Sequence, residues 1–247
     1  MSVLAGRRHL VTVGGLRIPS YIAMLYIGCV AGILTGAAVA PAAGITESRF
    51  AFLAIVLLAP ALVGARLWYV LQNLARFRAE PRRLWRRGEG GAALYGGLVL
   101  GVGASGPVVA VAETPFGAFW DAASVAILVG LIVTRAGCLM NGCCAGRQTS
   151  GPLGMWLPNH RGEWRRRFPT PILEATWGAV LLGAALATRK AMPFPGALFA
   201  GVVGAYAAGR LALEFTREAE NTRRANAAFS VALLTVSTTL WLAWGLR

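Results

Sequence analysis

The sequence predicts an all-α, polytopic membrane protein with about seven transmembrane helices and a loop-rich extramembrane head between helices four and five. Three observations support this prediction. Of the 247 residues, 56% are hydrophobic and only 14% are charged. The mean hydropathy is +0.59. Long apolar runs make up more than half of the chain. This composition excludes a disordered chain and argues against a soluble enzyme, because soluble domains carry about 25% charged residues.

Each predicted helix corresponds to an apolar run close to the ~20 residues that cross a hydrocarbon core. A water-exposed helix of this length would have a polar face, which these runs lack. The first run is longer than the ~7–15 residue core of a cleaved signal peptide and another run follows closely, so we expect it to be retained. We treat residues 1–247 as one transmembrane domain, with residues 138–170 as the head. The runs are Tyr21–Ala43, Phe50–Leu74, Ala92–Ala112, Ala118–Gly137, Pro171–Ala187, Gly196–Phe215 and Ala227–Gly245.

The net charge of +14 comes from 24 basic and 10 acidic residues. The basic residues lie in short loops between apolar runs, which favours anionic lipid headgroups over nucleic acid as their partner. With seven spans, 17 loop and terminal bases lie on the side of the N-terminus and 4 on the opposite side. The positive-inside rule therefore predicts a cytoplasmic N-terminus.

Six ionisable residues lie inside or at the ends of the apolar runs. Facing lipid, they would oppose membrane insertion by roughly 15–20 kcal/mol in total, so we expect them to face inward. One interpretation is three internal salt bridges, with Arg210 and Glu214 pairing at i,i+4. The other is that the arginines bind a phosphodiester, because guanidinium groups bind phosphate bidentately. The six are Arg66, Asp121, Arg135, Glu174, Arg210 and Glu214.

Two further clusters stand out. Leu94-Tyr95-Gly96-Gly97-Leu98 opens the third run, where two glycines allow a backbone or a lipid to approach closely. Between Thr134 and Arg147, at the end of the fourth run, we expect non-helical backbone. The three thiols there, Cys138, Cys143 and Cys144, could bind a metal or form a redox pair. Their spacing is not of the CxxC type and only His160 offers a fourth ligand, so we expect no metal and no cofactor.

Five segments resemble, in order, the motifs of the prolipoprotein diacylglyceryl transferases, a family of seven-span enzymes. Gly64-Ala65-Arg66 resembles the family's second-helix GAR segment, and Tyr95-Gly96-Gly97-Leu98 resembles its HGGL motif. Residues 135–142, RAGCLMNG, resemble its signature RxGNFxNGE. Residues 168–174, FPTPILE, resemble its HPTQLYE segment, and Gly209-Arg210 with residues 214–217, EFTR, resembles its late GRF…EFxR motif.

The resemblance implies transfer of a diacylglyceryl group from phosphatidylglycerol to the cysteine thiol of a prolipoprotein, in the bacterial cytoplasmic membrane. It implies anionic phospholipid and a preprolipoprotein acceptor as partners, and no nucleic acid. We expect Arg135 and Arg210 to bind the phosphate, Asn141 to donate a hydrogen bond and Tyr95 to occupy the place of a catalytic residue. The expected substrate-binding residues are Arg66, Gly96, Gly97, Gly137, Gly142, Glu174 and Glu214.

The chain also departs from the family pattern. Tyr95 stands where the family has histidine, and Cys138 and Cys143 stand where its signature has asparagine and glutamate. Two alternatives therefore remain: a non-catalytic relative that binds anionic phospholipid, and a membrane protein that uses its thiols for redox or metal chemistry. The family places its two long loops on the outer side of the membrane, opposite to the prediction from charge.

Overall fold

The computed structural model describes residues 5–13, 16–82, 94–159, 161–218 and 223–246. These residues form eight α-helices and two short antiparallel hairpins, with 3₁₀ turns at Ala40–Ala43 and Arg189–Ala191. The helices are α1 (Ser20–Val39), α2 (Glu47–Gln72), α3 (Leu74–Ala79), α4 (Leu94–Val111), α5 (Phe116–Asn141), α6 (Thr170–Thr188), α7 (Ala197–Glu214) and α8 (Arg223–Gly245). The strands are β1 (His9–Val13), β2 (Leu16–Pro19), β3 (Met155–Pro158) and β4 (Trp164–Arg167).

Six of the described helices are long and apolar enough to cross a membrane, and α4 is a shorter apolar helix. Every predicted span therefore corresponds to a helix, including the shortest run, which lies within α6. Large apolar side chains such as Tyr26, Leu34, Phe52 and Leu62 are exposed on the helix surfaces, as expected for residues that face lipid. The prediction of an all-α, multi-pass membrane protein is confirmed.

Helix α5 lies at the centre of the bundle and packs against α1, α6 and α7. Small residues allow the helices to approach closely. The backbones of α2 and α4 meet at Gly64 and Gly96, where a Cβ atom on either glycine would collide with the carbonyl oxygen of the other. Such contacts replace the hydrophobic driving force that is missing between helices in lipid. They fix α4, and with it Tyr95, against the rest of the bundle.

Asp121 joins α5 to the start of α7. Its Oδ2 accepts a hydrogen bond of 2.7 Å from the backbone N–H of Gly196, and its Oδ1 accepts one of 2.9 Å from the N–H of Phe199. These backbone donors have no partner within their own helix, and a carboxylate also interacts favourably with the positive end of the helix dipole. The partly buried carboxylate of Asp121 is therefore satisfied, within the described residues, by backbone groups instead of by a cationic side chain.

The polar side of the bundle contains the two hairpins, which were not predicted from the apolar runs. Gly6, near the first hairpin, packs against Trp164 of the second. The N–H of Arg147 in the head donates to the carbonyl of Thr216, just after α7, at 2.8 Å. The N-terminal segment, the head and the end of α7 therefore lie on the same side of the bundle.

The expectation of non-helical backbone between Thr134 and Arg147 is wrong for residues 134–141 and correct from Gly142 onward. Helix α5 continues through Asn141 and ends at Gly142, whose φ of 72° lies in the left-handed region that favours glycine. Gly137, the predicted end of the span, instead lies where α5 contacts α1: a Cβ atom there would be 2.8 Å from Cβ of Met24. This contact with a neighbouring helix stabilises the extra helical turn.

Candidate active site

Three arginines from different parts of the chain converge on one buried carboxylate, that of Glu174 on α6. The Oε2 atom of Glu174 lies 2.5 Å from Nη2 of Arg135 on α5. Its Oε1 atom accepts a hydrogen bond from Nη1 of Arg210 on α7 and lies 3.4 Å from Nη1 of Arg217. Glu174 is only 2% exposed. The convergence of Arg135, Arg210 and Glu174 is thus a feature of the fold, and we call these residues, together with Arg217 and Glu214, the arginine cluster.

The arginine cluster contains more positive than negative charge. Glu214 lies 3.9 Å from Arg210, one helical turn away on α7, as the i,i+4 spacing indicates. Among the described residues, three guanidinium groups then face two carboxylates, which leaves one net positive charge on side chains that are at most 16% exposed. Unbalanced buried charge is costly unless a counter-ion binds. The cluster therefore favours an anionic ligand.

Three buried polar atoms at the cluster make no hydrogen bond to any described residue: Nε of Arg135, the hydroxyl of Tyr206, and Oε2 of Glu174, which has only its ion pair with Arg135. Tyr206 lies close enough to Arg135, Glu174 and Arg210 to interact with them electrostatically. Buried polar groups are nearly always hydrogen-bonded, so such atoms at a charged site indicate where a ligand binds. Tyr206 belongs to none of the sequence motifs, although its position four residues before Arg210 places both on one face of α7. Arg217 is the last residue of the EFTR segment.

Tyr95 is buried at the start of α4, next to the arginine cluster. Its hydroxyl lies 2.5 Å from Oγ of Ser230 on α8, and its ring packs on Phe229 with a centroid distance of 4.5 Å. It also lies close enough to Arg210 to interact with it electrostatically. The structure therefore places Tyr95 beside Arg210, which in turn shares the Glu174 carboxylate with Arg135.

The three cysteines of the head also meet at this place. The Sγ atoms of Cys138, Cys143 and Cys144 lie within 4.8 Å of one another, and we call them the thiol cluster. Nη1 of Arg135 lies 3.9 Å from Sγ of both Cys138 and Cys144. Hydrogen bonds from the Cys138 and Cys143 thiols hold the pKa of the Cys144 thiol well below its ordinary value. Arg135 is therefore shared between the arginine cluster and the thiol cluster.

Other predicted site residues have different surroundings. Arg66 lies over the rings of Tyr69 and Phe77, at 5.6 and 5.7 Å from their centroids, and no described contact joins it to Glu174. Asn141 is the last residue of α5, next to Cys143. Roles for these two residues in substrate binding stay predictions. His160 lies outside the described residues.

The four predicted substrate-binding glycines lie at close backbone contacts. A Cβ atom on Gly97 would be 3.0 Å from the carbonyl oxygen of Ala61, and one on Gly142 would be 2.9 Å from that of Asn159. Gly96 faces α2 and Gly137 faces α1, as described above. The structure thus gives these glycines a packing role, and their contact with a substrate stays a prediction.

The family model described as prolipoprotein diacylglyceryl transferase matches residues 8–244. Among curated relatives named phosphatidylglycerol–prolipoprotein diacylglyceryl transferase, that of Shouchella clausii is 28% identical over 222 residues, covering 85% of this chain and 78% of the relative. That of Geobacter sulfurreducens is 34% identical over 160 residues, covering 64% and 60%. That of Clostridium botulinum is 24% identical over 210 residues, covering 83% and 84%. The chain belongs to the prolipoprotein diacylglyceryl transferase family.

Proposed function

We propose that this protein transfers a diacylglyceryl group from phosphatidylglycerol to the cysteine thiol of a prolipoprotein. The observation that carries the proposal is the arginine cluster, in which Arg135 and Arg210 converge from two helices with one net positive charge. Membership of the family and the names of its curated relatives give the reaction. In this reaction the thiol sulfur forms a bond to the glyceryl carbon, and the bond from that carbon to the phosphate oxygen breaks. The electron pair leaves with glycerol phosphate, and the thiol proton is released.

Arg135 and Arg210 stabilise the negative charge that develops on the departing phosphate. Glu174 contacts both guanidinium groups and so fixes their orientation before the lipid binds. Donors that are already oriented in a site with little water stabilise such charge much more strongly than donors in water. Nε of Arg135, which makes no hydrogen bond to a described residue, is available to the phosphate.

Two tyrosines supply hydroxyl groups at the same place. Tyrosine is protonated at neutral pH and is therefore a weak general base, so Tyr95 does not serve as the base. Its hydroxyl donates to Ser230, whose own proton goes to the carbonyl of Asn226, and its oxygen lies beside Arg210. The hydroxyl of Tyr206 donates a hydrogen bond to a phosphate or ester oxygen of the lipid. Binding of the lipid then satisfies a buried hydroxyl that makes no hydrogen bond to a described residue.

The protein acts in the bacterial cytoplasmic membrane, on phosphatidylglycerol or another anionic phospholipid and on a preprolipoprotein. The head supports this assignment, because Trp156, Arg165 and Arg166 are exposed on its hairpin next to the helix ends. Tryptophan and arginine side chains are favoured at the level of lipid headgroups. The basic loops then serve the lipid and substrate, with the N-terminus on the outer side, and a reporter fused to the C-terminus tests this orientation.

The decisive experiment measures transfer with purified protein in phosphatidylglycerol nanodiscs and a peptide that contains one cysteine. We expect release of glycerol phosphate together with a peptide mass increased by diacylglyceryl. Arg210→Gln should reduce this rate at least about a hundredfold, the scale on which removal of one preorganised donor slows catalysis. Lys190→Gln, which changes an exposed base at the opposite end of the bundle, is the control. Full activity of folded Arg210→Gln would contradict the proposal.

A second candidate function is binding of anionic phospholipid without turnover. The observation that favours it is Tyr95, which occupies the place of the family histidine and already pairs with Ser230. This alternative requires that the protein bind phosphatidylglycerol and release no glycerol phosphate in the same nanodiscs. Expression in a strain that lacks the authentic transferase distinguishes the two, because only an active enzyme restores growth.

A further inference from the structure

The thiol cluster has the geometry of a metal site. Cys138 lies in the last turn of α5, and the chain then reverses at Gly142, so that Cys143 and Cys144 return toward Cys138. Cys144 has a φ of 59°, in the left-handed region that non-glycine residues rarely adopt. This conformation places three sulfurs within 4.8 Å of one another. In a tetrahedral zinc site with Zn–S bonds of ~2.3 Å, the sulfurs are roughly 3.8 Å apart, so only small side-chain movements are needed.

A disulfide accounts for this arrangement less well than a metal does. A disulfide between Cys143 and Cys144 would join adjacent residues, whose Cα atoms are about 3.8 Å apart, closer than the ~4.4–6.8 Å that disulfides prefer. A disulfide between Cys138 and either Cys143 or Cys144 would use two sulfurs and leave the third cysteine unpaired. A single ion at the centre uses all three.

The surroundings of the three sulfurs also suit a thiolate ligand set. Arg135 Nη1 lies 3.9 Å from two of the sulfurs. A guanidinium at this distance favours negative charge on sulfur, which is the form that binds a metal. Cys138 is buried, while Cys143 and Cys144 are partly exposed, so the cluster has one side open to an incoming ion. Thiolates select soft d¹⁰ ions such as Zn²⁺ and Cu⁺ over Mg²⁺ or Ca²⁺.

We propose that Cys138, Cys143 and Cys144 bind a thiophilic d¹⁰ metal ion, with Zn²⁺ the preferred ion, and leave one coordination position open. Among the described residues, no other histidine, cysteine or carboxylate joins the cluster. Three protein ligands and one open position are typical of catalytic rather than structural zinc sites.

The open position accepts the thiolate of an exogenous cysteine, which places that sulfur beside Arg135. This part of the inference rests on the proposed function, in which a cysteine thiol is the acceptor. Its proton passes to water as the sulfur binds the metal. The sulfur then forms the bond to the glyceryl carbon, and the electron pair of the broken carbon–oxygen bond leaves with glycerol phosphate. The metal would thus supply the activation of the thiol that Tyr95 does not.

The metal site is tested by titrating the reduced, purified full-length protein with Cd²⁺ and recording the sulfur-to-metal charge-transfer absorption. We expect one ion per chain. Cys143→Ser and Cys144→Gly should each weaken binding more than about tenfold, at least the loss seen when a supporting residue of a metal site is removed. Glycine at position 144 suits the positive φ and so preserves the backbone. Cys29→Ser, which changes the cysteine of α1, is the matched control and should bind as tightly as the wild type.

Three outcomes would overturn the metal site: no binding by the wild-type chain, equal binding by the folded cluster variants, or equal loss of binding in Cys29→Ser. Zn²⁺ and Cu⁺ are distinguished by elemental analysis of protein that is purified without added metal. Elution volume and thermal unfolding in detergent establish that each variant is folded.

The open position is tested in Co²⁺-loaded protein with a short cysteine peptide and its serine counterpart. We expect the cysteine peptide alone to shift the Co²⁺ spectrum, and the absence of a shift would overturn the assignment of the fourth position. Spectra need no turnover, so they separate this inference from the proposed function. If Arg210→Gln abolished transfer but left metal binding intact, both proposals would be supported. If Cys144→Gly lost the metal but kept full transfer, the role of the metal in activating the thiol would be overturned, while the transferase would remain.

Discussion

Arg135 and Arg210 hold the two oxygens of one carboxylate, that of Glu174, although they lie on different helices and 75 residues apart in the sequence. The carboxylate therefore fixes the distance between the two guanidinium groups. Because each arginine uses only part of its hydrogen-bonding capacity on Glu174, the pair keeps donors for a further anion. This relationship leads to the first prediction.

Replacing Glu174 by glutamine should destabilise the protein strongly. The change leaves three buried or nearly buried arginines without their shared counter-charge, and breaking a buried ion pair in this way costs about 3–5 kcal/mol. We expect a lower thermal midpoint in detergent and loss of transfer. Glu47→Gln, at the exposed start of α2, is the control. A Glu174→Gln protein as stable as the wild type would show that the arginines do not depend on this carboxylate.

Tyr206→Phe should have opposite effects on stability and on lipid binding. The buried hydroxyl makes no hydrogen bond to a described residue, and leaving such a group unsatisfied costs about 1–3 kcal/mol. Its removal should therefore leave the ligand-free protein at least as stable as the wild type, while the KM for phosphatidylglycerol rises about tenfold. Thermal unfolding and transfer kinetics measure the two effects. A marked fall in stability with an unchanged KM would contradict the proposed contact with lipid.

Tyr95→Phe should reduce transfer more than Ser230→Ala does. Both substitutions remove the hydrogen bond between the two hydroxyls and should cost about 1 kcal/mol of stability each. Only the phenylalanine variant also removes the phenol oxygen beside Arg210. We expect Tyr95→Phe to lower kcat about tenfold and Ser230→Ala to change it by less than about twofold. Equal effects on kcat would mean that Tyr95 acts only through its contact with Ser230.

Asp121→Ala should destabilise the protein without changing the chemistry. The substitution removes both acceptors at the start of α7, and loss of such a cap costs about 0.5–2 kcal/mol. Asp121→Asn keeps one acceptor oxygen and should lie between the wild type and alanine. The rate per folded molecule should be unchanged at a temperature at which all three proteins are folded. A lower rate in folded Asp121→Ala would show that the end of α7 influences the site.

Gly96→Ala and Gly103→Ala should have opposite effects although both lie in α4. A Cβ atom at Gly96 meets the backbone of Gly64 on α2, and relieving such a collision costs about 1–3 kcal/mol. Nothing lies within 4 Å of a Cβ atom at Gly103, so alanine there should stabilise the helix by roughly 0.5–1 kcal/mol. Thermal unfolding in detergent measures both effects. Equal stability of the two variants would contradict the close contact between α2 and α4.

The order of the seven long apolar helices could be predicted because the length of an apolar run reflects the thickness of the membrane, whereas the short helix α3 was not predicted. The grouping of Arg135, Arg210 and Glu174 also followed, because buried charges have to meet one another. Other features depend on partners that the sequence does not identify. Asp121 binds backbone groups 75 and more residues away, and a sequence does not indicate which backbone N–H groups a carboxylate binds. The two short hairpins lie outside the apolar runs. They were not predicted because secondary structure was predicted only from the length and composition of those runs.

The thiol cluster also depends on contacts that the sequence does not identify. Its sequence spacing does not match that of known zinc motifs, so spacing alone argued against a metal. The helix that continues to Asn141 and the left-handed residues at positions 142 and 144 bring the sulfurs together. Backbone conformations of this kind depend on contacts such as that of Gly142 with Asn159, which are distant in sequence.

Helix α7 is attached at two points, to Asp121 at its start and to Glu174 through Arg210. These two attachments set the spacing of the site. Asp121 and Arg135 are separated by fourteen residues on α5, and Gly196 and Arg210 are separated by fourteen residues at α7. Two parallel helices are thus fastened at matching heights, about 21 Å apart along the bundle. Neither helix can slide or tilt past the other without breaking one of the two attachments. The distance between the guanidinium groups of Arg135 and Arg210 is consequently set at both ends of α7, by Asp121 and by Glu174.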